Sequence, residues 1–350
     1  MSENVPILQK AAVYSKIADP IEICDIPVPE LSSTDVLVKI LYSGLGKIDM
    51  DIWAGNFPIE PEVPRVGGHC GVGVVVQVGA DVSHFKPGDR AGIKLINDAC
   101  LCCEFCKRGS EAHCESATTT GLGINGTWQQ YFVIKYSEVV RIPESLQIQK
   151  AVPILSDGVT AYRALKESNV KPGQIIAITS AGSPLGRMGI QYAKAMGMRV
   201  IAIDSGNANS QICKDLGATI YIDTNETTDL VQSVINATDG GPNGVLCIDT
   251  TGDSIELATM YVRTRGMVVL LTLPKDTQLT ADVFWTVFRG VTIKGSFYGN
   301  RQDGDEALDF AARGIIDVQV ETLPMEFLPK LCDQMSNAEI TRRIVIDNWK

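Results

Sequence analysis

Four cysteines lying close together in the chain are the residues whose spacing points most directly to chemistry. Cys100, Cys103, Cys106 and Cys114 follow a C-x2-C-x2-C-x7-C pattern within the stretch NDACLCCEFCKRGSEAHC. Four thiolates held this closely can complete a tetrahedral shell around zinc, which leaves no position for a substrate. The spacing therefore predicts a structural zinc ion in each chain. An iron–sulfur cluster is the alternative, but the short ferredoxin run places its fourth cysteine sooner and follows it with proline, whereas Glu115 follows here.

A second stretch predicts a nucleotide-binding turn. Residues 175–186 read IIAITSAGSPLG, an apolar strand that leads into a helix, and an acid ends the following strand. In a dinucleotide fold this turn offers backbone N–H groups to the pyrophosphate, and an acid about 20 residues on binds the adenosine ribose. The candidate cofactor-binding residues in this part of the chain are Ser180, Gly182, Ser183, Gly186 and Asp204.

Two serines stand where glycine is usual in this turn, so the pattern is degraded. Ser183 followed by Pro184 suits a helix start, with serine as N-cap and proline at the first position, although Pro184 offers no N–H to a phosphate. Asp204 would repel the 2′-phosphate of NADP, which favours NAD(H) and leaves NADP(H) open. A Rossmann domain that binds nucleotide weakly or not at all is the alternative interpretation.

The elements that must position these residues follow two patterns. Roughly the first 150 residues contain short β-like runs, such as Val36–Ile40 and Gly71–Val76, separated by Gly, Pro and Asp turns. Further along, apolar strands alternate with helices, which predicts a parallel sheet covered on both faces. Its predicted strands are Ile175–Thr179, Val200–Asp204, Ile220–Ile222, Gly244–Asp249, Val268–Leu273 and Val291–Gly295. A closing strand, Arg343–Asp347, is expected to return to the first domain.

The composition narrows the classes of partner. The chain has 350 residues, of which 45% are hydrophobic and 21% charged, and a net charge of −10. That balance is typical of a globular protein with a substantial core, and the negative charge argues against nucleic acid or an anionic membrane surface. No apolar run reaches the roughly 18 residues that suggest a membrane span. The N-terminus has no secretory pattern, so we expect a cytoplasmic protein that binds a small-molecule substrate.

Several motifs spread along the chain carry a resemblance to a known family. They are DIPVP (25–29), VGGH (66–69), the cysteine loop, QYAKAMG (191–197), ATDGG (237–241) and ALDFAARG (307–314). With them the chain resembles the zinc-type medium-chain dehydrogenases/reductases, most closely the fungal (yeast-type) alcohol dehydrogenases. The resemblance implies an α/β protein with a GroES-like catalytic domain at 1–158 and 295–350, which carries the structural zinc loop 98–114. It also implies a Rossmann domain at 159–294 and assembly into a homodimer or homotetramer.

Two of the three catalytic zinc ligands that the resemblance implies are replaced in this sequence. The resemblance places them at Gly46, His69 and Ser156, and glycine has no ligating side chain while serine is a poor ligand. Ile48 stands where the family has the hydroxyl that receives the alcohol's proton, and Ala54 replaces a relay histidine. The expectation is that ordinary zinc-dependent alcohol oxidation is lost.

The polar groups that remain near the expected site are the candidates for catalysis. Asp49 matches the family's acid that orients the ligand histidine, so Asp49 and His69 form either an acid–base dyad or a satisfied buried pair. Cys70 could join His69 and Asp157 in a makeshift metal site. The candidate catalytic residues are His69, Asp49, Asp51, Cys70, Ser156 and Asp157. Lys47 and Arg343 match basic residues that the family places near the cofactor pyrophosphate.

Two smaller side chains predict a roomier substrate pocket. Leu95 and Phe57 stand where yeast-type enzymes have tryptophans, which suits a bulky apolar substrate such as a secondary metabolite. We expect NAD(P)H-dependent reduction of an activated C=C, C=N or C=O bond. The alternative is a non-redox isomerase, lyase or cyclase that uses the His69/Asp49 dyad, and a third possibility is a catalytically inactive homologue that acts through its oligomer interfaces.

Overall fold

The chain forms two compact units in the computed structural model, which describes residues 5–249, 251–336 and 342–350. Unit 1 comprises Met1–Ser156 and Asn300–Lys350, and unit 2 is Asp157–Gly299. The sequence predicts boundaries at 158/159 and 294/295, whereas the structure divides the chain after Ser156 and after Gly299. The second boundary shifts because the residues that follow the last strand of unit 2 still pack within that unit.

The first segment of unit 1 is rich in β-structure. Its strands are β1 Leu8–Tyr14, β2 Glu22–Pro27, β3 Asp35–Gly44, β4 Arg65–Val66, β5 Gly71–Val78, β6 Arg90–Ile93, β7 Ile96–Asp98, β8 Thr118–Thr119, β9 Tyr131–Lys135 and β10 Val140–Arg141. Its helices are α1 Lys47–Trp53, α2 Glu104–Lys107 and α3 Ile148–Pro153, with 3-10 turns at Glu111–His113 and Tyr136–Glu138 and a π-helical turn at Ile154–Gly158.

Unit 2 alternates helices and strands. Its strands are β11 Ile175–Thr179, β12 Arg199–Asp204, β13 Ile220–Asp223, β14 Gly244–Cys247, β15 Met267–Leu270 and β16 Thr292–Gly295. Its helices are α4 Val159–Glu167, α5 Pro184–Ala195, α6 Asn207–Leu216, α7 Leu230–Thr238, α8 Gly252–Tyr261 and α9 Val283–Arg289. All strand pairs are parallel, in the order β13-β12-β11-β14-β15-β16. This is the 3-2-1-4-5-6 order of a dinucleotide-binding sheet.

The last segment completes unit 1 with α10 Arg301–Ala312, β17 Glu321–Pro324, a 3-10 turn at Met325–Phe327, α11 Leu328–Ser336 and β18 Ile344–Asp347. Strand β18 pairs antiparallel with β3, so the closing strand returns to the first unit as predicted. The large sheet has the order β10-β6-β5-β3-β18-β17, with β9 also paired to β3, and a smaller sheet has the order β2-β1-β4. The predicted combination of a β-rich domain with a doubly wound parallel sheet is confirmed.

The pairing of β3 with β5 brings two short segments of unit 1 together. Ser43, near the end of β3, lies opposite Gly71 at the start of β5. The residues after β3 and those before β5 therefore meet at one edge of the sheet. Trp128 fixes this edge, because its indole N–H donates to the Gly44 carbonyl at 2.8 Å. A Cβ on Gly68, which has a φ of +92°, would lie 2.5 Å from the same ring, so only glycine fits there.

No helix in the described parts of the chain is both long and apolar enough to cross a bilayer.

Candidate active site

Asp49 ties together the two segments that meet at the end of β3. It lies in the first turn of α1 and is 5% exposed. Its Oδ2 accepts from the Gly46 N–H at 2.9 Å, and its Oδ1 accepts from the His69 N–H at 2.9 Å. The carboxylate thus caps the start of α1 and also holds the backbone that enters β5. Both donors are backbone groups, so the side chain is fixed independently of any substrate.

His69 stands at the centre of a continuous hydrogen-bond chain. Its Nδ1 lies 2.9 Å from both Asp49 carboxylate oxygens, and its Nε2 lies 2.8 Å from Ser156 Oγ. Because an ionised carboxylate only accepts, Nδ1 carries a proton, and Nε2 exchanges a hydrogen bond with the serine hydroxyl. Ser156 lies in the π-helical turn that ends unit 1. The chain Asp49–His69–Ser156 can hold a proton at one end and pass it to the other.

The surroundings of His69 favour its charged form. Burial penalises the imidazolium and by itself lowers the pKa. The negative charge and hydrogen bond of Asp49, together with Cys70, act in the opposite direction and prevail, so the pKa of His69 lies well above its usual value. His69 is therefore positioned as a proton donor at neutral pH, paired with a carboxylate that stabilises its charge.

A small cavity opens beside this chain of side chains. Its volume is about 10 Å³, roughly the space of one water molecule. The residues that line it include Gly46, His69, Cys70, Ser156 and Arg343. All of them belong to unit 1. A small polar atom placed there would be close to the serine hydroxyl and the imidazole.

Cys70 is a buried thiol that fills space beside the hydrogen-bond chain. It is 1% exposed, and its sulfur lies 3.9 Å from the Val152 carbonyl. A Cβ built on Gly44 would lie 2.5 Å from the same sulfur, so Cys70 occupies the space above that glycine. The sequence predicts Cys70 as a catalytic candidate, and the structure places it beside His69 as part of the cavity wall.

Three further predicted residues are Lys47, Asp51 and Asp157. Lys47 Nζ is 2.5 Å from Asp51 Oδ2, one helical turn away on α1, and the lysine side chain is 85% exposed. In this structure Asp51 is therefore paired with the lysine that the sequence assigns to the cofactor pyrophosphate. Asp157 is the first residue of unit 2 and is partly buried. The roles predicted for these three residues stay predictions.

The four predicted cysteine ligands are gathered in unit 1. The Sγ atoms of Cys100, Cys103, Cys106 and Cys114 all lie within 4.8 Å of one another, and within the described ranges they form the one group of three or more potential metal ligands. Backbone N–H groups of Cys102 and Cys103 lower the pKa of Cys100 to about 6, which favours the thiolate that a metal requires. The set has the composition and compactness of a closed zinc site.

In unit 2, Asp204 is held by the turn that precedes α5. Its Oδ2 accepts from the Gly182 N–H at 2.7 Å, and its Oδ1 accepts from the Ser205 N–H at 2.7 Å and from Asn209 Nδ2 at 3.3 Å. The predicted acid therefore stands where the end of β12 meets the glycine turn, which is the arrangement expected for binding a ribose.

Most N–H groups of the predicted pyrophosphate turn already have partners. Besides Gly182, Ser183 N–H donates to the Ser180 carbonyl at 3.0 Å, and Gly186 N–H donates to Ser183 Oγ at 3.1 Å. Leu185 keeps an N–H for which the described residues supply no acceptor. Ser180 adopts a φ of +45°, a region that glycine enters without strain and serine does not. The turn with its two serines therefore leaves few N–H groups available for a pyrophosphate.

Two side chains at this turn have no motif that singles them out in the sequence. Arg187 Nε donates to the Gly182 carbonyl at 2.6 Å, and Asn209 bonds to Asp204 from the first turns of α6. The one sequence signal for a role of Arg187 in this turn is its basic side chain directly after Gly186. Asn209 offered none, because its contact with Asp204 depends on how α6 packs.

Comparisons with known proteins agree with this architecture. Residues 32–144 match the family described as "Alcohol dehydrogenase GroES-like domain", and residues 184–313 match "Zinc-binding dehydrogenase". The chain is 43% identical over 347 residues to alcohol dehydrogenase 1 of Caenorhabditis elegans, covering 99% of each protein. It is also 43% identical to alcohol dehydrogenase 1 of Emericella nidulans, covering 98% of this chain and 99% of that one.

Among solved structures, acetophenone reductase from Geotrichum candidum in complex with NAD is similar. The TM-score is 0.86 at 27% sequence identity, and the match covers 99% of this chain and 98% of the other. The chain is therefore similar to dehydrogenases and to a reductase over almost its whole length.

The ion pair of His69 with Asp49 should make stability depend on pH. Because the folded-state pKa of His69 is raised, the pair stabilises the folded protein fully below the unfolded value of about 6.5. That contribution is lost as the pH rises through the folded-state pKa. We expect the difference in Tm between the wild type and His69→Gln to shrink as the pH rises from about 6.5 into the alkaline range.

Thermal denaturation of both proteins across this range is the measurement. His84→Gln, which alters an exposed histidine, is the matched control and should show no such trend. A Tm difference between wild type and His69→Gln that grows with pH would contradict the ion-pair assignment.

Proposed function

Because the chain belongs to the zinc-type alcohol dehydrogenase family of medium-chain dehydrogenases/reductases, we propose that it is an NAD(P)H-dependent reductase that works without a catalytic zinc ion. The proposal rests on one observation, the buried hydrogen-bond chain Asp49–His69–Ser156 that ends at a small cavity. In this proposal the substrate is a bulky, apolar molecule with an activated C=C, C=N or C=O bond, such as a secondary metabolite.

The side chains of unit 1 supply the proton that a reduction needs. The Ser156 hydroxyl donates its proton to the substrate atom that gains negative charge, and His69 Nε2 returns a proton to the serine. Asp49 stabilises the imidazolium before this transfer and keeps the ring oriented. The raised pKa of His69 supports its role as the donor. A bound nicotinamide would supply the hydride.

The residues at the family's catalytic zinc position do not fit that metal. Gly46 contributes no side chain, and His69 Nε2 is already hydrogen-bonded to Ser156 Oγ. Tetrahedral zinc in proteins needs about three protein ligands, drawn from cysteine, histidine and carboxylates. Among the described residues, His69 and Cys70 are not part of a group of three or more potential metal ligands. We therefore route no step of the reaction through a metal.

The nucleotide is assigned to unit 2. Asp204 would hold the adenosine ribose, since its carboxylate stands at the end of β12 against the Gly182 turn. A Cβ on Gly182 would lie 2.4 Å from Asn209, so glycine allows this close approach. The Geotrichum reductase was solved with NAD, which supports a nicotinamide cofactor here. Lys47 and Arg343 remain candidates for the pyrophosphate.

An apolar cluster supports the substrate class. Ile52, Phe57 and Leu122 pack together, with Ile48 against them. Leu95 is 3% exposed and therefore lies within the core of unit 1. Ile48 is only partly buried, and the resemblance implies a relay hydroxyl at its position. An apolar side chain there suits a hydrophobic substrate with one polarised bond better than a small alcohol.

A non-redox reaction is the second candidate. The observation that favours it is the pairing of the N–H groups of Gly182, Ser183 and Gly186 within their own turn. A turn closed in this way offers a pyrophosphate fewer donors than the open glycine turn. In that case the His69/Asp49 dyad would catalyse isomerisation, elimination or cyclisation.

Replacing the serine at the end of the proton chain tests the reductase. Ser156→Ala should lower kcat for NADH- or NADPH-dependent reduction of an enal, an aryl ketone or a cyclic iminium ion by about 10²-fold to 10⁴-fold, with little change in cofactor affinity. Ser156→Thr keeps a hydroxyl and should retain most activity. Stopped-flow nicotinamide absorbance measures the rate, and fluorescence titration measures the binding.

Unchanged kcat in Ser156→Ala would rule out the proton chain. Conversion of a substrate without oxidation of the nicotinamide would instead establish the non-redox candidate.

We also propose that the four cysteines hold one structural zinc ion. The purified protein should contain about one zinc per chain, and Cys106→Ser should bring that content close to zero, since a closed site needs all four thiolates. Cys102→Ser, which alters an exposed neighbouring thiol, is the matched control. Inductively coupled plasma mass spectrometry gives the count. A second equivalent of zinc that disappears in His69→Ala would overturn the zinc-free mechanism.

We further propose that the chain assembles as a homodimer or homotetramer through α9. This helix has no buried side chain, and its apolar residues Phe284, Val287 and Phe288 are 65%, 76% and 73% exposed. Contiguous apolar surface of this kind is typical of protein–protein interfaces. We assign this exposed surface of α9 to contact with a second copy of the chain, because the resemblance predicts a homo-oligomer.

Phe288→Glu should convert the oligomer to a monomer, because it places a charge in the apolar contact. Size-exclusion chromatography with light scattering measures the mass, and Phe327→Glu, at a 46% exposed aromatic of unit 1, is the control. A monomeric wild type, or a Phe288→Glu protein of unchanged mass, would contradict the proposal.

A further inference from the structure

We propose that Arg187 binds the 2′-phosphate of NADP(H), so that the chain accepts this cofactor although Asp204 stands at the ribose position. The inference rests on the nicotinamide-dependent function proposed above and specifies its cofactor. Its observations lie entirely within unit 2.

The first observation is the way Arg187 is anchored. The Nε of its guanidinium donates to the Gly182 carbonyl at 2.6 Å. This single bond orients the planar group, because the five N–H donors of arginine have a fixed geometry. The side chain is partly buried, which restricts its rotamers without removing it from solvent. Within the described residues its two Nη groups have no acceptor, so their four N–H donors remain for a ligand.

The second observation is that Asp204 is anchored at the same glycine. The N–H of Gly182 donates to Asp204 at 2.7 Å, while its carbonyl accepts from Arg187. The two side chains are therefore held at one point of the turn. Because the acid marks the ribose hydroxyls, the arginine lies at the ribose end of the nucleotide and not at the nicotinamide end.

The third observation concerns the charge of Asp204. Its carboxylate already accepts hydrogen bonds from Gly182, Ser205 and Asn209. Donors directed at a carboxylate offset part of its field, and the positive guanidinium at the same turn offsets more. The repulsion that an isolated acid exerts on a 2′-phosphate is thereby reduced. Arginine can then bind the phosphate with two parallel N–H donors.

The pyrophosphate is a less suitable partner for Arg187. In this fold the pyrophosphate lies at the N-terminus of the helix that follows the turn. There the Leu185 N–H has no acceptor among the described residues. Arg187 bonds instead to the carbonyl of Gly182, the residue whose N–H binds Asp204. We therefore assign it to the ribose phosphate.

The test compares two cofactors on matched variants of the full-length protein. NADH and NADPH are titrated at one fixed salt concentration and followed by nicotinamide fluorescence. Adenosine diphosphate ribose and its 2′-phosphorylated form serve as probes without a nicotinamide. Arg187→Gln removes the charge at similar size, and Arg187→Lys keeps it. Arg199→Gln is the control, because Arg199 Nε also donates to a glycine carbonyl, that of Gly173, at 3.0 Å.

We expect the wild type to bind NADPH and NADH with Kd values within about tenfold of each other. Arg187→Gln should weaken NADPH binding by at least about tenfold and NADH binding by less than about threefold. Arg187→Lys should give an intermediate loss for NADPH, since lysine is a point charge without the bidentate geometry. Arg199→Gln should change neither cofactor.

Each contrary result has a distinct meaning. Equal weakening of NADH and NADPH in Arg187→Gln would place the arginine at the pyrophosphate and overturn the proposal. A wild type that binds NADH but not NADPH, or an Arg187→Gln protein with unchanged NADPH binding, would overturn it as well while leaving the reductase intact. Binding of neither cofactor by the wild type would overturn the nicotinamide-dependent function itself. Melting curves of each variant establish that it is folded.

Discussion

The buried carboxylate of Asp49 is the interaction on which the candidate active site depends. A carboxylate removed from water is costly unless donors surround it, and Asp49 receives them from Gly46 N–H, His69 N–H and His69 Nδ1. These donors come from two segments that are adjacent only because β3 pairs with β5. The same carboxylate therefore closes the start of α1, fixes the chain before β5 and orients the imidazole.

The frame around Asp49 can serve more than one chemistry. The resemblance implies that Gly46, His69 and Ser156 stand at the metal-ligand positions of the family. In this chain Ser156 Oγ lies within hydrogen-bond distance of His69 Nε2. A proton relay is the chemistry that such neighbours favour.

Local patterns in the sequence were sufficient for most of the fold. The alternation of apolar strands and helices predicted the parallel sheet of unit 2, and the strand order of the structure agrees with that class. The proximity of His69 and Ser156 follows from the resemblance, which assigns both to one metal centre, and no local pattern links two residues that are 87 positions apart. The pairing of Lys47 with Asp51 corresponds to an i,i+4 spacing on α1, whereas the resemblance implies a role for Lys47 at the cofactor.

The sequence by itself determined which side chains are available, that Gly46 can offer no ligand, and where apolar periodicity produces strands and helices. Only the tertiary structure decided which polar groups are already paired. The N–H of Gly182 bonds to Asp204, Ser183 caps its own helix, and the Arg187 Nη groups have no acceptor among the described residues. The reason is physical: periodicity is a property of neighbours along the chain, whereas a hydrogen bond is short, directional and set by residues that folding brings together.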